Sequence, residues 1–254
     1  MKTKILLLTF LGSILFACQK NKDNSSVTVE LQFDQRWGND AMGPESLNQF
    51  NFKNKAGETL SIERLRYLFS NISLDLKDGT QYGLQDYQLI DVSKNDRIQL
   101  TCTPNVAVED IAGISMLFGF DRTDNQEGVY PDLNAAVWNV PQLLGGGYHF
   151  MQLDGKFKEN DTASPIGYNF HAIQAVDAND PDQLIFEDTF FRIHAPFRQV
   201  KTTLQVIVTM DIEQWFHTPY LWELRKDHTG LMPNFEAQKR IAANGKSVFS
   251  IQVK

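Results

Sequence analysis

Cysteine is nearly absent: two residues, Cys18 and Cys102, in a chain of 254. Cys18 sits behind an N-terminal apolar segment, so the folded body keeps a single thiol and has no disulfide between its own segments. Such an exported body must be held together by the size of its core, and the stretch from Val27 to Lys254 is long enough for that. No block of Lys and Arg is present and the formal net charge is −7, which argues against a nucleic-acid partner. An HExxH helix, a Ser-centred elbow and a P-loop are all missing. The carboxylates are plentiful, but no pair is placed by sequence at the separation that glycoside cleavage needs. The chain is therefore read as not an enzyme. No internal repeat stands out.

Long apolar runs are also scarce, and the one present is terminal. Residues 1–17, "MKTKILLLTFLGSILFA", carry Lys2 and Lys4 ahead of a compact apolar segment too short to span a bilayer comfortably. This reads as a signal peptide. Its end, Leu15-Phe16-Ala17-Cys18, resembles a bacterial lipobox, which implies cleavage before Cys18 and lipidation of that thiol. The other reading is a plain signal peptide with an incidental Cys18. Several acyl chains would hold the protein durably at a membrane, and residues 18–26, "CQKNKDNSS", read as a flexible tether. By the same resemblance, Gln19 rather than Asp after the cysteine implies the outer membrane of the cell envelope.

What the chain does have is phenylalanine, 18 residues, and tyrosine, 7, arranged without a long helical period. In "VTVELQF", Val27, Val29, Leu31 and Phe33 alternate with polar residues, the period of a half-buried strand. "RYLFSNISLDLKDGT" is read as placing Leu68, Ser70, Ile72, Leu74 and Leu76 on one side before a turn at Asp78-Gly79. "YQLIDV", "IQLTC", "IAGISMLFGF", "YHFMQLDGKF", "LIFEDTFFRI", "KTTLQVIVTMDI" and "SVFSIQV" are further strands. Near the C-terminus "PNFEAQKRIAANG" predicts a short helix capped by Asn234, closed by a left-handed Gly245, and packed through Phe235, Ile241 and Ala242. The fold class is all-β: one domain over 27–254, a β-sandwich or distorted barrel with a short C-terminal helix. Residues 121–147 are too long for an ordinary hairpin loop and are read as a functional insertion.

Five histidines, His149, His171, His194, His217 and His228, are spread along the chain, so only the fold can bring them to one site. Imidazole suits copper, zinc, nickel or iron, and no thiolate set competes with it. Cys102 reads as an ordinary buried thiol. Asp121, Asp124, Asn125, Glu127 and Asp132 in the insertion carry the hard oxygens that calcium prefers, outside any EF-hand spacing. An acidic, solvated loop with no ion is the other reading. Trp138, ahead of a glycine run, reads as a cover for core or ligand.

Several stretches taken in order, "KNKAGETLSIERLRYLFSNISL", "DGTQYGLQDYQLIDVS", "IAGISMLFGFD", "GGGYHFMQLDGKF", "YNFH" and "HTGLMPNFEAQKRIAANGKSVFSI", resemble the MbnP-like copper-binding family over nearly the whole body. The resemblance implies an envelope β-sandwich that binds copper through histidines. It also implies, for some members, a tryptophan converted to kynurenine by a di-haem partner. Carried over by position, His171 in "YNFH" and His228 in "KDHTG" match family histidines, with Ala172 where a glycine is usual. Trp138 stands where the family has a longer tryptophan run, and this reduction sets the oxidised-tryptophan chemistry in question. His149 replaces an apolar residue, and His149 and His194 are the reserve ligands. The expected function is lipid-anchored copper binding, with exchange through a di-haem or metal-handling protein. The alternative is a non-catalytic accessory lipoprotein that uses residues 121–147 as a recognition surface, with no copper role.

Overall fold

The computed structural model describes residues 27–94, 99–180, 183–197 and 201–254. The signal segment 1–17, Cys18 and the 18–26 tether lie outside the described residues. Among the described residues there are fourteen strands: β1 (Thr28–Trp37), β2 (Asp40–Met42), β3 (Phe52–Lys53), β4 (Thr59–Leu76), β5 (Gln81–Asp91), β6 (Gln99–Cys102), β7 (Ile111–Phe118), β8 (Met151–Lys158), β9 (Ile166–Ala172), β10 (Ala175–Asp177), β11 (Ile185–Glu187), β12 (Phe191–Pro196), β13 (Thr203–Asp211) and β14 (Phe249–Val253). Two helices accompany them, α1 (Pro131–Ala135) and α2 (Phe235–Gly245). The strands form a five-stranded sheet, a seven-stranded sheet and a two-stranded ribbon of β10 and β11, and no barrel closes. The all-β fold expected from the strand pattern, a sandwich or distorted barrel with a short C-terminal helix, is the architecture found.

β1 is the axis of the smaller sheet. Val29, Leu31 and Phe33 are buried while Thr28, Glu30 and Gln32 are not, as the alternation predicts. One edge of β1 pairs in parallel with β13, and the other is shared by β6 and β2. Aromatic rings knit the two large sheets together. Phe33 of β1 stacks on Phe69 of β4 at 5.6 Å, and Phe249 of β14 meets Phe69 at 5.1 Å and Phe118 of β7 at 5.4 Å. Such pairs add packing specificity to the large apolar area they bury.

β4 organises the larger sheet. Its first half pairs with β8 and its second with β7, both on one edge. The exchange falls at Leu68, whose N–H donates to the Phe150 carbonyl at 3.0 Å while its own carbonyl accepts from Gly119 N–H at 2.9 Å. Gly119 has φ +84, and a Cβ there would stand 2.4 Å from the Phe150 ring, so glycine is required on both counts. The two strands thus diverge at this point, and residues 121–147, which connect them, lie over the opening. β4 departs from simple alternation. The register against β7 shifts between Ser70 and Ser73, where Asn71 has φ 50, so the one-sided alternation read from Leu68 to Leu76 is interrupted there.

Other local expectations fare unevenly. Asn234 caps α2, its side chain accepting from Ala237 N–H at 3.0 Å, worth about 1 kcal/mol. Gly245 does not close the helix in a left-handed conformation. It is the last helical residue, and a Cβ there would meet Phe191 at 2.5 Å and Trp215 at 2.8 Å. The packed face of α2 is Ala237, Gln238, Ile241, Asn244 and Gly245, whereas Phe235 and Ala242 stay half-buried. "LIFEDTFFRI" is two strands, β11 and β12, in different sheets. Cys102 is only half-buried; burial pushes its thiol pKa up.

Candidate metal centre

The candidate site lies on the face of the seven-stranded sheet that points away from the aromatic core. Register alone builds a small grid there. Arg64 of β4 stands opposite Asp154 of β8, which stands opposite Asn169 of β9. One step along, Arg66 stands opposite Gln152, which stands opposite His171. Residues two apart on a strand share a face, so six polar side chains lie together in two rows.

Asp154 ties the grid. Its Oδ2 accepts from Arg64 Nε at 2.6 Å, and its Oδ1 accepts from Asn169 Nδ2 and from His171 Nε2, the latter at 2.8 Å. Burial raises the Asp154 carboxyl pKa, but the hydrogen bonds from His171, Asn169 and Arg64 outweigh it and hold the group below the ordinary carboxylate range. Arg66 donates to Gln152 Oε1 and, at 3.1 Å, to the Ala136 carbonyl.

The insertion covers this grid. Trp138 is fully buried, and the Arg66 guanidinium lies 5.0 Å from its ring centroid. The chain then runs through Pro141 and three glycines and returns beside itself, with an isolated bridge between Asn139 and Tyr148. That return sets His149 against Trp138. The Trp138 carbonyl accepts from both the His149 N–H and His149 Nδ1, each at 2.9 Å. The His149 ring stands 5.6 Å from the Trp138 ring and 5.2 Å from the His171 ring, nearly perpendicular to the latter. His149 is 5 % exposed and His171 9 %.

These contacts fix the tautomers. A carbonyl only accepts, so His149 Nδ1 carries a proton and the lone pair falls on Nε2. A carboxylate only accepts as well, so His171 Nε2 carries a proton, and the lone pair of the neutral ring falls on Nδ1. That Nδ1 is buried and has no hydrogen-bond partner. Burial pushes the His149 pKa down to about 4, against the raising effect of the Trp138 carbonyl and with smaller lowering effects from His171 and Arg66. His149 is therefore neutral near pH 7, the form that ligates metals.

α2 holds the far side. Gln238, a buried helix residue, donates from Nε2 to the His171 carbonyl at 2.9 Å and to the Leu231 carbonyl at 3.0 Å, and accepts from Ile173 N–H at 2.9 Å. It satisfies backbone groups that the end of β9 would otherwise leave unpaired.

The other predicted residues lie elsewhere. His228 is half-buried, its Nδ1 on the Leu224 carbonyl at 3.1 Å and its ring 5.6 Å from Phe157 of the core. Its link to β9 is a backbone bond from Asn169 N–H to the His228 carbonyl, and no side-chain contact joins it to His171. His194 is exposed on β12, opposite Ser115. The histidines brought together are thus His149 and His171. Among the described residues no group of three His, Cys, Asp or Glu is arranged to hold a metal ion.

The acidic residues of the insertion brace its own turn and tie it to β4 and β5. Asp121 Oδ1 accepts from the N–H groups of Thr123 and Asp124, Asp124 accepts from Asn71 Nδ2 at 3.3 Å, and Asp132 accepts from the Tyr87 hydroxyl. Asn125 Oδ1 accepts from Tyr148 N–H at 2.9 Å, and the Glu127 carboxylate lies beside Gly146. Leu133, Trp138, Val140 and Tyr148 are buried, so the inner side of 121–147 faces the sheet.

Comparison with known proteins fits this picture. The family model MbnP matches residues 26–233. The chain belongs to the MbnP family. Proteins of this family are non-catalytic binding proteins, associated with copper and with the periplasm or cell envelope. The MbnP-family chain is similar in fold to the solved structure of MbnP from Methylosinus trichosporium, with a TM-score of 0.54 at 12% identity, over 90% of this chain and 99% of that one. No curated protein matches it.

Proposed function

We propose that the protein is an envelope copper-binding protein that takes up one monovalent copper ion through His149 Nε2 and His171 Nδ1. The observation that carries this reading is the pair of lone pairs left by two fixed tautomers on adjacent, nearly buried imidazoles, one of them without any partner. Each ring is oriented through its other nitrogen by an oxygen acceptor, as outer-shell groups orient metal-bound histidines. Two nitrogen donors fall short of the four ligands of a structural zinc site, whereas a filled-shell monovalent copper accepts two. Charge favours the same ion, because the Arg66 guanidinium lies close enough to lower the His149 pKa and repels a doubly charged ion more than a singly charged one. Bound there, copper would supply storage or delivery of the metal. In the same reading Cys18 would carry the lipid that keeps the body at the outer membrane, and a metal-handling protein would be the exchange partner.

The test is an anaerobic competition titration of copper(I) against bicinchoninate, using mature protein without a histidine tag. One copper per chain is expected. The His149→Ala, His171→Ala double variant should lose affinity beyond the about 10–100-fold that removal of an outer-shell group costs. Wild-type protein that takes up no copper, or a double variant that binds like wild type, would sink the reading.

A further inference from the structure

The outer side of the insertion is concave, apart from the histidine pair. A cavity of about 340 Å³ opens between residues 122–147 and the β10–β11 ribbon, within the size range of small-molecule sites. Its floor is the backbone of Gly145, Gly146 and Gly147, at φ +95, +70 and +75. Three consecutive left-handed residues exclude side chains on conformational grounds. A Cβ added at each would also press on its neighbours, and these contacts map what surrounds the floor. A Cβ on Gly145 would stand 2.8 Å from Phe186 Cε1. One on Gly146 would stand 3.1 Å from Glu127 Oε2 and 3.3 Å from Gln142 Nε2, and one on Gly147 2.6 Å from Asn125 Oδ1. An aromatic ring, a carboxylate beside an amide, and a second amide therefore follow one another along a bare backbone floor. Gln174 also lines the cavity; it is buried, and its Oε1 has no hydrogen-bond partner.

Charge narrows the ligand class. The cation at the rim, Arg122, is already engaged, donating from Nε to Asp188 at 2.6 Å and from Nη2 to the Phe186 carbonyl at 2.8 Å. A lone carboxylate, Glu127, faces the cavity among neutral amides, so an anionic ligand has no free counter-charge. Carboxylates and amides side by side pair with vicinal hydroxyls, which both donate and accept, and a half-exposed ring offers an apolar surface to the C–H face of a sugar. We infer that this cavity binds a single neutral sugar unit, with its C–H face on Phe186 and its hydroxyls on Glu127, Gln142 and Asn125. This inference does not depend on the copper reading.

Saturation-transfer NMR on the mature protein tests it, with glucose, galactose, mannose and N-acetylglucosamine as probes and putrescine as the cationic control. Transfer to at least one sugar and none to putrescine is expected. For the sugar that binds, Phe186→Ala and Gln142→Ala should each weaken affinity by about tenfold, the equivalent of one lost hydrogen bond or ring contact. Both positions are solvent-exposed, and unchanged melting of these variants reports an intact fold. If a variant melts early, Glu127→Gln, at another exposed position, replaces it. Absence of transfer to all four sugars, transfer to putrescine alone, or binding that survives in the folded variants each overturns the assignment.

Discussion

The seven-stranded sheet ends in two strands that each carry a histidine, β9 with His171 and β12 with His194. Both histidines belong to strands in regular antiparallel register, and both point to a polar neighbourhood. At the β9 end, residues 121–147 lie over the sheet from one side and Gln238 of α2 grips the backbone from the other. There the imidazole is nearly buried, its tautomer is set by Asp154, and a second imidazole stands beside it. At the β12 end nothing comparable among the described residues covers the strand, and His194 is exposed. A histidine on a sheet edge becomes a candidate ligand through its cover and its hydrogen-bonded supports, not through residue type.

Removing the cover should have the largest effect. Trp138→Ala empties a fully buried position between Arg66 and His149 and should cost about 3–5 kcal/mol in chemical denaturation; a loss below about 1 kcal/mol would mean that the insertion merely rests on the sheet. Acid comes next. The folded pKa of His149, about 4, lies below the ordinary value near 6.5, so the unfolded chain takes up that proton first. The contribution from this residue is complete above about pH 6.5 and is lost as the pH falls toward 4, on the order of 3 kcal/mol in all. The difference in stability between metal-free wild type and His149→Gln should therefore shrink across that window; a difference independent of pH would contradict the buried neutral ring. The smallest effects compare the two ends directly. Asp154→Asn should weaken copper(I) binding by about 10–100-fold, whereas His194→Ala should leave it unchanged in the same titration. Equal losses in the two variants would erase the distinction between the edges.

Much of the sandwich was legible because β1, β7, β13 and β14 alternate or run apolar between clear turns. The bulged β4 was harder, since both of its faces are covered and Leu68, Phe69 and Ser70 are buried in succession. β9 escaped prediction as a strand because Phe170, His171 and Ala172 are likewise all buried, which erases the period of two. His171 was found by resemblance, and its pairing with His149 was not. That pairing depends on a hairpin-like return from Trp138 to His149, whose signal in the sequence is a pair of aromatic residues flanking "VPQLLGGG". Asp154 and Gln238 gave no signal, since each acts through a register or a helix face that forms only when distant segments meet. The carboxylates of "DRTDNQEGVYPD" were legible as a cluster, and the ion-site and solvated-loop readings both stayed open, because a turn that satisfies its own N–H groups reads in sequence like an ion site.

The parallel pairing of β1 with β13 has a kinetic consequence. Glu30 and Gln205 face one another and share a hydrogen bond across 175 positions of chain. The strand that begins the folded body therefore cannot take its central place until the last quarter of the chain has arrived, and closing so long a loop slows folding. Until its own β1 docks, β13 keeps one unpaired edge of the correct polarity for any copy of β1. Crowded refolding should accordingly favour exchange of this first strand between molecules.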